Sequence, residues 1–298
     1  MTTGRHYGSP AAFRRALTDR LRGLADSSRW SLAQLQRQIA YDRFLERLYL
    51  MDAGWIVKGA AALLARDLAV RETVDVDVYR SATLQQAETD LRAAANRDIG
   101  DWFRFEIGRS RPVSAGGAGL RLPVTIFIGA TEWCTFRVDL VGSEIRMTGQ
   151  PDQVPPIARI AIPDIEQHGY RAYPLVDHIA DKVAAILQSY GAARVPSTRY
   201  KDLVDLVAIV SQATVEAEAQ RVALQSEADR RGITLPSSFS VPDRELWEKG
   251  YAAEAARSLL DASLTLDDAL AIVGPFLDPL LDGSAAGIWD PESLRWFL

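Results

Sequence analysis

Two aspartates, Asp75 and Asp77, stand one residue apart in the run Thr73-Val74-Asp75-Val76-Asp77-Val78-Tyr79. The β-branched residues around them predict a strand. Side chains in a strand alternate between faces, so the two carboxylates share one face and Val74, Val76 and Val78 take the other. Carboxylates held side by side repel each other unless a cation lies between them, and hard divalent cations take oxygen ligands. The pair is therefore a candidate metal site. A third acid, Asp139, interrupts a strand-like pattern made by Phe136, Val138 and Leu140. A buried acid there needs a partner or a metal. Three such carboxylates could hold two Mg²⁺ ions, one gripping a triphosphate and one activating an attacking hydroxyl. The alternatives are a solvent-facing strand for the pair and an exposed strand end for Asp139.

Just ahead of the acids, Lys58-Gly59-Ala60 reads as a turn from a strand into a helix. Such a turn offers backbone N–H groups and the positive end of a helix dipole to a phosphate, although a lone glycine there also serves as a plain connection. Lysine is scarce: of 34 Lys and Arg residues only those at 58, 182, 201 and 249 are lysine. Where arginine is the general cation, a lysine marks a place that needs a compact, rotatable ammonium. His6, His168 and His178 have no spacing for a metal or a triad and read as structural or exposed. Cys134 reads as a packing residue in a strand. Trp289 and Trp296 could stack on a base, but such residues more often anchor a tail. Arg194, Arg199 and Lys201 suit either a grip on RNA phosphates or a solvated helix end.

The elements that must position these residues follow from periodicity. Ser9-Pro10 has the form of an N-cap with proline at the first helical position, and Phe13, Leu17, Leu21 and Leu24 recur at helical spacing behind it. A second helix spans about 31–51. A strand at 55–58, a helix at 60–69, a strand at 73–79, a helix at 83–96 and strands near 102–108, 120–128 and 133–141 follow, with a flexible connection at 114–119 and an edge strand at 157–162. After Pro174 the pattern turns helical, with runs at 175–190, 199–211, 214–231, 243–260 and 265–281. The expected fold class is α+β: N-terminal helices and a mixed-sheet core over 1–165, then a C-terminal helical lobe over 166–298.

Bulk properties narrow the function classes. With 298 residues, 48% hydrophobic and 24% charged, the chain is long enough for two cored lobes and lies far from disordered or fibrous compositions. A single cysteine excludes an intrachain disulfide, and no Cys/His spacing fits zinc. No signal peptide and no membrane span are apparent, so the expectation is a cytoplasmic protein. The net charge of −5 argues against a non-specific nucleic-acid coat, while leaving room for a local basic surface.

The run Lys58-Gly59-Ala60-Ala61-Ala62-Leu63, followed by Arg66, Arg71, Thr73, Asp75 and Asp77, resembles the signature of the AbiEii/AbiGii-type nucleotidyltransferase toxins, within the DNA polymerase β-like nucleotidyltransferase superfamily. Two later segments are similar to the family's helical motifs: Asp181-Lys182-Val183-Ala184-Ala185-Ile186 and Arg199-Tyr200-Lys201-Asp202-Leu203-Val204-Asp205-Leu206. The resemblance implies a Mg²⁺-dependent nucleotidyltransferase core completed by a helical lobe. In it Asp75 and Asp77 bind metal, Lys58, Gly59 and Ala60 form the phosphate turn, and Arg71 and Thr73, just ahead of the acids, join the nucleotide-binding residues. Lys182 contacts the nucleotide phosphates and Asp202 completes the site, with Asp205 sharing its helix face. It implies a nucleoside triphosphate substrate, an RNA 3′ end such as that of tRNA as acceptor, and a cognate antitoxin that binds the toxin or modifies it at Thr73. The chain departs from the family at Ala60, where Gly or Ser is usual, and at Ala61, where a hydroxyl is usual. Transfer to a protein or small-molecule hydroxyl, and a non-catalytic nucleotide- or RNA-binding scaffold, stand as alternative readings.

Overall fold

The computed structural model describes residues 6–68, 71–113, 119–142, 145–261 and 263–298. Two compact units emerge. The first comprises the described residues up to Asp67, Thr73 to Ile145 and Gln153 to Ala172; the second comprises the described part of Leu68 to Glu72, Arg146 to Asp152 and Tyr173 to Leu298. The chain thus passes between units more than once, whereas the sequence pattern suggests a single division after residue 165.

The first unit opens with helix α1 (Pro10–Ala25), whose Ser9 side chain accepts from the N–H of Ala12 at the N-cap. Helix α2 (Leu32–Met51) starts from a capping box in which Ser31 and Gln34 each satisfy the other's backbone N–H. Strand β1 (Trp55–Lys58) runs into the short helix α3 (Gly59–Ala65), and strand β2 (Asp75–Arg80) leads to helix α4 (Leu84–Ala95). Strands β3 (Phe103–Ile107), β4 (Arg111–Pro112), β5 (Gly119–Ile128), β6 (Thr131–Val141), β7 (Asp152–Val154) and β8 (Tyr170–Ala172) complete the sheet. Its order is β3-β5-β6-β2-β1-β8-β7, with β4 also on β5. The β2–β6 and β1–β8 pairs are parallel, while β1–β2, β3–β5 and β5–β6 are antiparallel, so the sheet is mixed as expected.

The expected edge strand at 157–162 is not one. Ile157, Ala158, Ile160 and Ile162 are buried, but the backbone N–H groups of Ile157 and Ala158 donate to the Asp42 carboxylate of α2 at 2.8 and 2.6 Å rather than to a strand. A side chain has taken over the acceptor role of a sheet ladder. The edge is instead formed by β8 and β7, runs of three residues too short to show a period. The connection expected at 114–119 lies mostly outside the described residues. α2 is buried on every side, so its charged residues are paired: Arg43 and Arg47 both meet Asp101, at 2.7 and 2.6 Å.

The second unit contains helices α5 (Leu175–Leu187), α6 (Tyr200–Val210), α7 (Ala217–Arg231), α8 (Arg244–Ala255) and α9 (Leu266–Leu281), close to the expected spans. Three short strands, β9 (Val215–Glu216), β10 (Ile288–Asp290) and β11 (Arg295–Phe297), form a second sheet in the order β11-β10-β9. Trp289 is fully buried, packs edge-on to Phe276 at 5.1 Å and donates to the Val210 carbonyl at 2.8 Å, which makes it the tail anchor expected of it. No helix among the described residues is long and apolar enough to cross a membrane.

Candidate active site

Strand β2 alternates as its sequence requires. Val76 and Val78 are buried, and Asp75 and Asp77 are half-buried on the opposite face. The sheet register then places a row of charges beside Asp77: Lys58 opposite it on β1, Asp139 beside it on β6, and Arg121 beyond that on β5. Arg137 stands opposite Asp75. Two of the three carboxylates are held by these arginines. Arg121 donates from Nε and Nη2 to the two oxygens of Asp139 at 2.7 and 2.6 Å, and Arg137 donates to Asp75 at 2.7 Å. Arg121 and Arg137 are absent from any sequence motif, and only strand register reveals them.

The three acids suit a hard divalent cation in chemistry, being carboxylates on one face of adjacent strands. They are not gathered into a ready-made cage: among the described residues no three His, Cys, Asp or Glu side chains converge as metal ligands. Asp75 and Asp139 are engaged by guanidinium groups instead. A cavity of about 650 Å³ lies along β3, lined by residues such as Trp102, Arg104 and Glu106, and none of the three acids lines it.

Gly59 fixes the turn beside the acids. It adopts φ of 59°, a conformation that costs other residues, and a Cβ there would lie 1.9 Å from Asp77 Oδ2. The Asp77 carboxylate therefore rests against the first residue of α3, where the sequence reading puts a phosphate. Ala60 and Ala61 are both buried, at 8% and 0% exposure, so the missing hydroxyl of Ala61 belongs to a position packed into the core. Thr73 turns the chain into β2: its Oγ1 donates to the Asp75 carbonyl at 2.9 Å and accepts from the Asp75 N–H at 3.2 Å. The Thr73 carbonyl accepts from Tyr41 Oη at 2.7 Å.

The second unit brings together the remaining motif residues. Lys182 Nζ on α5 donates to Asp205 at 2.6 Å and Asp202 at 3.1 Å on α6. Arg71 forks onto Asp205 at 2.9 and 2.8 Å, and Arg199 donates to Asp202 at 2.5 Å. Lys182, Asp202 and Asp205 are buried. Burial opposes ionisation of Asp205, but Lys182 and Arg71 outweigh it and hold its carboxyl down to about 2. Burial likewise opposes the Lys182 charge, and the two aspartates overcome it and raise its affinity for a proton. In this state the Lys182 ammonium faces carboxylates. Lys201 is exposed.

The other candidates take quiet places. His168 pairs with Glu46 at 2.5 Å, His6 donates its backbone N–H to Asp164, and His178 is buried in α5. Burial pushes the Cys134 thiol up to about 12, which leaves it inert.

The family model of the nucleotidyl transferase AbiEii toxin, type IV TA system, matches residues 43–272. The chain belongs to the AbiEii nucleotidyltransferase toxin family. The AbiEii match takes in every motif residue above, from Lys58 to Asp205. Among solved structures, MenT4, a nucleotidyltransferase toxin from Mycobacterium tuberculosis, shares the fold with a TM-score of 0.50 and 16% identity, over 94% of this chain and 99% of that one. JHP933 from Helicobacter pylori aligns with a TM-score of 0.47 and 14% identity, over 83% of this chain and 92% of that one. No curated protein gives a significant match. As an AbiEii-type toxin, the protein is of a transferase class whose donor is a nucleoside triphosphate and whose toxicity is countered by an antitoxin.

Proposed function

We propose that this AbiEii-type toxin is a Mg²⁺-dependent nucleotidyltransferase that adds a nucleoside monophosphate to an RNA 3′ end, with tRNA the foremost acceptor, and so blocks translation. The observation that carries the reading is Gly59 interlocked with Asp77 beside Asp75. A glycine turn and two co-facial acids in that contact suit a metal-bound triphosphate. Asp75 and Asp77, joined by Asp139, would hold the cation, with Lys58, Gly59 and Ala60 at the triphosphate. Bound Mg²⁺ would neutralise charge on the triphosphate and favour ionisation of the attacking hydroxyl. The acceptor 3′-oxygen bonds to the α-phosphorus as the α-phosphorus–oxygen bond to pyrophosphate breaks. Lys182 is assigned to the growing phosphate charge, an electrostatic role suited to an ammonium, with Asp202 and Asp205 as the carboxylates that keep it protonated. Arg71 orients Asp205.

An antitoxin that phosphorylates Thr73 would add about −1.5 to −2 charges two residues from Asp75 and remove the Oγ1 donor that now bonds the Asp75 carbonyl. The test of the whole reading is incubation of the protein with Mg²⁺, each labelled ribonucleoside triphosphate and total RNA. Label on RNA is expected. Label on protein would shift the acceptor to a protein hydroxyl, and no label with any triphosphate would leave only a binding scaffold.

A further inference from the structure

The rung of the sheet that carries Asp77 reads, from β1 to β4, Lys58, Asp77, Asp139, Arg121, Arg111. Residues in register on neighbouring strands project to the same face. The row is therefore two adjacent acids flanked by cations, with two arginines side by side at one end. Arg121, like Arg137 on Asp75, is in direct contact with an acid expected to bind metal, and it alone of the two engages both oxygens of its partner in a fork. Its fork engages both oxygens of Asp139, and the side chains are 41% exposed for Arg121 and 14% for Asp139. The guanidinium is thus the more accessible partner of the pair. It is a resident monovalent cation beside the acid trio.

We propose that Arg121 is a latch moved by phosphate: in the nucleotide-free protein it holds Asp139, and the phosphates of an incoming nucleoside triphosphate draw it off, releasing Asp139 to a divalent cation. This rests on the metal reading of the acids given above. The guanidinium fork matches phosphate as well as carboxylate. A divalent cation on Asp139 and a guanidinium on the same two oxygens repel each other, so the two occupants exclude one another. Arg111, exposed and next in register, offers the following positive group to the same phosphate chain. The consequence is linkage: nucleotide tightens metal binding, and metal tightens nucleotide binding by the same factor. The toxin would not assemble its full metal site on free Mg²⁺ alone.

The test uses Arg121→Gln and Arg121→Lys in the full chain, with circular dichroism to verify folding. Mn²⁺ binding to the nucleotide-free protein is read from the paramagnetic resonance of free Mn²⁺. It should tighten about tenfold in Arg121→Gln and less in Arg121→Lys, which keeps the charge but loses the fork. Binding of each of the four ribonucleoside triphosphates, measured calorimetrically in EDTA, should weaken about tenfold in Arg121→Gln for whichever binds the wild type most tightly. Equal Mn²⁺ affinity in wild type and Arg121→Gln overturns the latch alone. Unchanged triphosphate affinity, or none in the wild type, overturns it as well. No Mn²⁺ binding to either protein overturns both the latch and the metal reading beneath it.

Discussion

Asp75 and Lys182 carry charges of opposite sign in opposite circumstances, and substitution should affect them differently. The Asp75 side chain is 31% exposed and its partner Arg137 45% exposed. An ion pair that open contributes at most about 1 kcal/mol. Asp75→Ala should therefore abolish nucleotide transfer while the midpoint of urea unfolding hardly moves; transfer at the wild-type rate would remove Asp75 from the metal. Lys182 is buried between two aspartates, and its removal strands their charges. Lys182→Met should cost roughly 3–5 kcal/mol of stability, so unfolding must be measured before any loss of activity is assigned to chemistry. Gly59→Ala meets both a left-handed φ and Asp77 Oδ2 at 1.9 Å. The backbone term alone is about 1–2 kcal/mol, and the contact forces Asp77 aside. The expected result is a folded, somewhat less stable protein with little transfer, whereas full activity would show that Asp77 need not sit where it does.

Among the elements, α2 shows what a buried acid does to pH dependence. Asp42 is fully buried on it, which pushes its carboxyl up to about 6 although Tyr170, Ile157 and Ala158 donate to it. A carboxyl with a folded-state pKa above its unfolded value of about 3.9 stabilises the fold most when protonated. Its contribution is whole below about pH 4 and is lost as pH rises through 6, by roughly 3 kcal/mol in all. Relative to Asp42→Asn, the wild type should lose urea stability across that window; parallel profiles would show that Asp42 does not titrate there. The same acid explains a limit of sequence reading. Long periodic elements such as α1, α5 and β6 are legible because their period repeats, and Asp75 and Asp77 are legible because they share one strand. The strap at 157–162 reads as a strand because its apolar residues are buried, yet its backbone partner is a side chain more than 110 residues earlier. Arg121 and Arg137 are invisible for a related reason. Their meaning depends on which strands are neighbours, and β2 pairs with β6 across three intervening strands of sequence.

For the molecule as a whole, charge is the property that bears on the proposed RNA acceptor. A net charge of −5 does not favour long-range attraction of RNA to the surface at large, so the proposed RNA 3′ end would be held by a local group of cations. The number of phosphates so held can be counted from salt dependence, since each released counterion contributes about −0.7 to the log–log slope for single strands and about −0.9 for duplex. With a local patch, the apparent affinity for acceptor RNA should fall with salt at a slope of about −2 to −4. Transfer measured at subsaturating RNA over a salt series, with triphosphate and Mg²⁺ saturating, gives that slope directly. A slope steeper than about −8 would require a broad basic surface, which this composition does not provide. A slope near zero would mean that the acceptor is not held through its phosphates, and would favour a protein or small-molecule hydroxyl as the receiving group.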